Sequence, residues 1–92
     1  MRTRAHIFVN GDVQGVFFRQ ETKQQAEAND VRGWVRNRND GTVEAVFEGE
    51  EQDVKALIDF SKRGPTRATV TNVDVKLEAY TGEYKDFKIR YA

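Results

Sequence analysis

Asp40-Gly41 constrains this chain more than any other pair of residues. It sits between two arms, Arg32 to Asn39 and Thr42 to Glu48. Asp-Gly between such arms is a strong two-residue hairpin signal, because a type I′ turn needs positive φ at both central positions. Side-chain alternation places Val43, Ala45 and Phe47 on one face of the second arm. In the first arm Gly33, Val35 and Asn37 share a face, and Trp34 and Arg36 take the other.

Helix-forming and strand-forming segments lie on both sides of this hairpin. Ala5 to Val9 is apolar and partly β-branched, which reads as a strand. Phe18 to Asn29 is rich in Gln, Glu, Lys and Ala, with Phe18, Thr22 and Ala26 at helical spacing. Asn29-Asp30 is its expected stop, since both residues tolerate the left-handed conformation. Glu50 to Lys62 reads as a second helix with an inward stripe of Val54, Leu57, Ile58 and Ser61. Gly64-Pro65 ends it, because Gly accepts positive φ and Pro cannot continue a helix. Val73, Val75, Leu77 and Ala79 alternate with polar residues, the pattern of a half-buried strand. Phe87, Ile89 and Tyr91 suggest a last short strand after a turn around Gly82.

The order is βαββαβ plus a short terminal strand. It predicts an α+β fold of the ferredoxin-like kind, an α/β sandwich in which an antiparallel sheet carries two helices on one face. Ninety-two residues suit a single domain spanning 1–92.

Composition narrows the function. Fifteen basic residues balance fifteen acidic ones, so a general polyanion binder is disfavoured and nucleic acid is not the expected partner. A small anion needs only local positive charge. There is no cysteine, which excludes disulfides, thiolate metal sites and a cysteine nucleophile. The N-terminus lacks a long apolar run, and no segment approaches the ~20 residues needed to span a bilayer. The expectation is a cytoplasmic, monomeric protein without membrane contact.

The run Gly11 to Arg19 carries the chemistry. It reads Gly-Asp-Val-Gln-Gly-Val-Phe-Phe-Arg, between the first strand and the first helix. A glycine-containing loop entering a helix gathers backbone N–H groups into a concavity that suits phosphate. Arg19 adds a planar fork matched to phosphate oxygens. The loop is neither a Walker A motif nor a dinucleotide fingerprint, since the required glycine and lysine spacings are missing. Two glycines alone are more often plain turn residues. Asn37 puts an amide on the apolar face of its strand, where it needs partners. It is either a satisfied structural residue beside the turn or an amide that holds a water or substrate atom. His6, the only histidine, shares a strand face with Phe8 and reads as structural. Trp34, Phe47 and Phe60 read as core, and no metal-ligand spacing is present.

Taken together, these motifs resemble the acylphosphatase family. Gly11 to Arg19 fits GxVQGVxFR, and Gly33 to Glu44 fits GWVxNxxDGxVE, in the family's order and spacing. Gly64-Pro65, Ala68, Val70, Val73 to Val75 and Phe87 to Tyr91 extend the resemblance over nearly the whole chain. The resemblance implies the ferredoxin-like fold and hydrolysis of acyl phosphates to a carboxylate and inorganic phosphate, with no metal and no cofactor. It implies that Arg19 binds the phosphate. Backbone amides of Asp12, Val13, Gln14, Gly15, Val16, Phe17 and Phe18 would cradle the same group, and Asn37 would orient the attacking water. Asp30 stands where the family often has a helix-ending Gly, and Ala92 extends past the aromatic end; neither touches the motif residues. Arg32-Gly33-Trp34-Val35 also has a faint likeness to an RNA-binding sheet motif, but polar Asn37 and Asn39 stand where stacking aromatics belong.

Overall fold

The structure, a computed structural model, describes residues 1–91. Its elements are β1 (Arg2–Asp12), α1 (Phe18–Ala28), β2 (Arg32–Asn37), β3 (Val43–Glu50), α2 (Glu51–Arg63), β4 (Thr69–Glu78) and β5 (Phe87–Arg90). The sheet order is β4-β1-β3-β2-β5. The first four strands pair antiparallel, and β5 adds in parallel to β2, so the five-stranded sheet is mixed. This is the ferredoxin-like arrangement read from the sequence.

Period-2 alternation sorts the central strands into two faces. Ala5, Ile7 and Val9 of β1, Val35 of β2 and Val43, Ala45 and Phe47 of β3 form one buried layer. Phe18 and Ala26 of α1, with Val54 and Leu57 of α2, belong to the same core. Phe60 and Ser61 are also buried on α2, whereas Ile58 is only partly so.

The other sheet face is covered by polar side chains rather than by helices. Glu48 is fully buried there and accepts hydrogen bonds from Thr81 N–H, Thr81 Oγ1–H, Gly82 N–H and Arg4. His6 stacks on Phe8 with ring centroids 4.9 Å apart and bonds Glu44 at 2.6 Å, a structural role. Trp34 is buried beneath the guanidinium groups of Arg36 and Arg90. A ring covered in this way offers no stacking platform to a base.

Both expected helix stops form. Asp30 takes φ 55°, and Val31 N–H reaches back to the Ala26 carbonyl at 2.8 Å, which satisfies an orphan carbonyl of α1. Gly64 takes φ 72° after α2. Two expectations change. The hairpin turn is not type I′: of its central residues only Gly41 has positive φ, at 91°. Arg38 N–H bonds the Thr42 carbonyl and Gly41 N–H bonds the Arg38 carbonyl, closing a longer loop with Gly41 at its left-handed position. Asp40 keeps negative φ because its carboxylate accepts from Thr42 N–H and Thr42 Oγ1–H. The second change concerns β4, whose alternation suggested a half-buried strand. It lies at the sheet edge, supported by β1 on one side only, and Val75 and Leu77 are exposed. Ala79 falls beyond its end. Among the described residues no helix is long and apolar enough to cross a membrane.

Candidate active site

The chain leaves β1 at Asp12 and must turn into α1 within five residues. Gly15 makes this possible with φ 73°. Phe17, the residue before the helix, also adopts the left-handed conformation, at φ 64° and ψ 22°. For a large aromatic residue this costs about 1–2 kcal/mol. The contorted entry has a consequence for the backbone. Among the described residues, none of the N–H groups from Val13 to Gln20 donates to a protein acceptor. A row of free N–H groups at a helix start is a donor-rich concavity suited to an anion.

A cavity of about 140 Å³ opens at this point, lined by Val13, Gly15, Phe17, Phe18, Arg19, Gln20 and Asn37. Arg19 is half-buried, and its guanidinium packs over the Tyr91 ring at 5.0 Å. That stacking limits the rotamers of a long side chain at little cost to its charge. Asn37, the last residue of β2, faces the same cavity from across the sheet. Its Oδ1 is buried without a hydrogen-bond partner in the protein. Buried acceptors without partners are rare and costly.

The loop and the hairpin are physically tied. Gln14 Nε2 donates to the Arg38 carbonyl at 2.8 Å and to the Thr42 carbonyl at 2.9 Å. One side chain therefore fixes the loop against the turn that follows Asn37. The structure brings Arg19, Asn37, Val13, Gly15, Phe17 and Phe18 to one cavity. Asp12, Gln14 and Val16 do not line it: Asp12 pairs with Thr69 at the end of the β1–β4 ladder, Gln14 is the tether, and Val16 packs against the core. Sequence reasoning missed Gln20 as a lining residue, the tether made by Gln14, and Tyr91 as the support of Arg19. Only Tyr91 left a signal, an aromatic in the segment read as the last strand, which in the structure ends one residue earlier at Arg90.

The geometry agrees with what the chain is similar to. The family model described as acylphosphatase matches residues 5–89. The chain belongs to the acylphosphatase family. An acylphosphatase from Pelotomaculum thermopropionicum is 53% identical over 90 residues, covering 98% of each chain. One from Pyrobaculum aerophilum is 54% identical over 87 residues, covering 94% of this chain and 92% of the relative. The crystal structure of acylphosphatase from Bacillus subtilis superposes with a TM-score of 0.92 at 34% identity, covering 99% of this chain and 100% of that one. The mixed five-stranded sheet with two helices is thus the acylphosphatase fold.

Proposed function

We propose that this chain carries its family's activity, hydrolysis of the carboxyl–phosphate bond of acyl phosphates to a carboxylate and inorganic phosphate. The observation that carries the reading is the single cavity lined by Arg19, by Val13, Gly15, Phe17 and Phe18 of the loop and helix start, and by Asn37. Phosphoryl transfer asks chiefly for positioning and for charge stabilisation on the equatorial oxygens. Arg19 and the N–H groups of the loop supply that charge without a metal. The Asn37 amide orients the attacking water, its side chain turning so that Oδ1, which has no solvent-accessible surface in this structure, accepts the water's hydrogen bond. Water adds to phosphorus as the bond to the acyl oxygen breaks, and the carboxylate leaves with that electron pair. The carboxylate is a stable leaving group and needs no strong acid. The amide of Asn37 is no base, so the water's proton passes to a phosphate oxygen of the substrate.

Hydrolysis of benzoyl phosphate by the purified protein tests the activity directly, with and without a chelator. Equal rates in both are expected; loss in chelator with rescue by added metal would contradict the metal-free route. Asn37→Ala is expected to lower kcat by about 100-fold to 1,000-fold. Inorganic phosphate should still inhibit that variant at wild-type concentrations. Wild-type turnover by Asn37→Ala would refute the role given to Asn37.

A further inference from the structure

The two edges of the sheet are built differently. β5 forms one edge with four residues, and its Lys88 and Arg90 carry like charges. Laid antiparallel on a copy of itself, it would set cation against cation. A short edge of one charge sign turns a further strand away. β4 forms the other edge with ten residues, Thr69–Glu78, and contains neither Gly nor Pro. It pairs with β1 on one side only, so a row of backbone N–H and C=O groups faces outward without a strand. On it Val75 is 40% exposed and Leu77 is 67% exposed. Leu77 also lines a groove with Val54 and Ile58 of α2, which carries the apolar surface on from the strand.

The charges of this edge are left over as well. On the polar sheet face Arg4, His6 and Arg36 pair with Glu44, Glu48 and Glu78. Asp74 and Lys76 belong to the same face, opposite Phe8 and His6 of β1. Among the described residues neither forms an ion pair. Two β4 strands laid antiparallel offer each of these charges a partner. Backbone groups point outward at every second residue, so residues of equal parity must face each other. With Val75 facing its own copy, Asp74 stands against the partner's Lys76, and Lys76 against the partner's Asp74. On the helix side Leu77 then stands against the partner's Val73. The neighbouring registers are worse. Centred on Asp74, the pairing sets Asp on Asp; centred on Lys76, it sets Lys on Lys and Asp74 on the partner's Glu78.

We infer that β4 is the interface at which a second copy of this chain binds, in a two-fold symmetric dimer centred on Val75. The two sheets join into one, the outward backbone groups of both edges pair, and Val75 and Leu77 leave water. The contact uses the same edge of both copies, so assembly stops at the dimer. This revises the expectation of a monomer.

Analytical ultracentrifugation of the full chain over a concentration series tests the inference. The wild type should approach twice the chain mass of 10.6 kDa as concentration rises. Lys76→Asp sets Asp against Asp at both charge pairs, and Asp74→Lys sets Lys against Lys. Each should raise the dimer dissociation constant about tenfold to hundredfold. An equimolar mixture of the two variants restores opposite charges at both pairs and should form a heterodimer with the wild-type constant. That recovery separates lost pairing from lost folding. A wild type that stays monomeric at every concentration would overturn the inference and leave the edge to another protein's strand or to solvent. Growth in mass beyond the dimer, dimerisation unmoved by either variant, or a mixture that stays monomeric would overturn it equally.

Discussion

The two helices of this protein begin in opposite ways. At α2 the preceding residue, Glu50, is extended, and Glu51 N–H is taken by the Met1 carbonyl at 3.0 Å. Glu51 and Asp53 stand in the first turn, where carboxylates offset the positive end of the helix. At α1 the preceding residue is left-handed, the N–H groups from Val13 to Gln20 find no protein acceptor among the described residues, and a cation, Arg19, stands in the first turn beside a single acid, Glu21. A cation there costs about 0.3–1 kcal/mol against the helix dipole. Neither helix has a side-chain cap, so the difference lies in what each terminus is left to hold. At one start the protein itself takes the first N–H and sets two carboxylates in the first turn. The other breaks the same local rules and leaves its N–H groups and its cation without a protein partner of opposite charge at hydrogen-bond distance among the described residues, as the proposed phosphate site requires.

Arg19→Ala should break this contrast most severely. With its cation gone, kcat/KM for an acyl phosphate should fall at least about 100-fold, and inhibition by inorganic phosphate should disappear. Steady-state kinetics with phosphate as inhibitor read both. Gln14→Leu tests whether the loop must be tied to the hairpin. It leaves two carbonyls with one donor fewer each, so stability should drop by about 1–2 kcal/mol in urea unfolding. Turnover should fall about tenfold as the loop loses register with Asn37. At the closed start, Glu51→Gln should lower stability by only about 0.3–1 kcal/mol. Activity should not change, because no residue of α2 lines the cavity.

Acid should act on a third region, the polar sheet face. Burial pushes the Glu44 carboxyl upward, but hydrogen bonds from His6 and Arg36 outweigh it and hold the group below its ordinary value of 4.5. A depressed carboxylate stabilises the fold above its ordinary value, and that contribution is lost as pH falls through the folded one. Melting temperature should therefore decline below pH about 4.5. The Glu44→Gln protein should be less stable at neutral pH and show a shallower decline. Parallel curves for the two proteins would assign the acid loss to other groups.

What the sequence disclosed and what it concealed follow from distance along the chain. Asn37 was legible because period 2 puts it on the inward face of β2, where a polar amide is out of place. The helix stop at Asp30 and the loop at Gly15 were legible because each depends on local φ. The turn at Asp40 was misread because a side-chain bond to Thr42 competes with the backbone preference of Asp-Gly. The exposure of Leu77 could not be read either. Alternation tells which residues share a face, while the place of β4 at the sheet edge comes from topology. Gln14 was read only for its backbone amide, and the partners of its side chain, carbonyls 24 and 28 residues away, lie beyond any local pattern.

Titration of isotope-labelled protein with inorganic phosphate, followed by amide NMR shifts, tests the contrast between the two helix starts most directly. The amides from Val13 to Gln20 and the Arg19 side chain should shift in a saturable way, while those of Glu51 to Asp53 stay fixed. Saturable shifts centred on the start of α2, or none at the start of α1, would contradict the account.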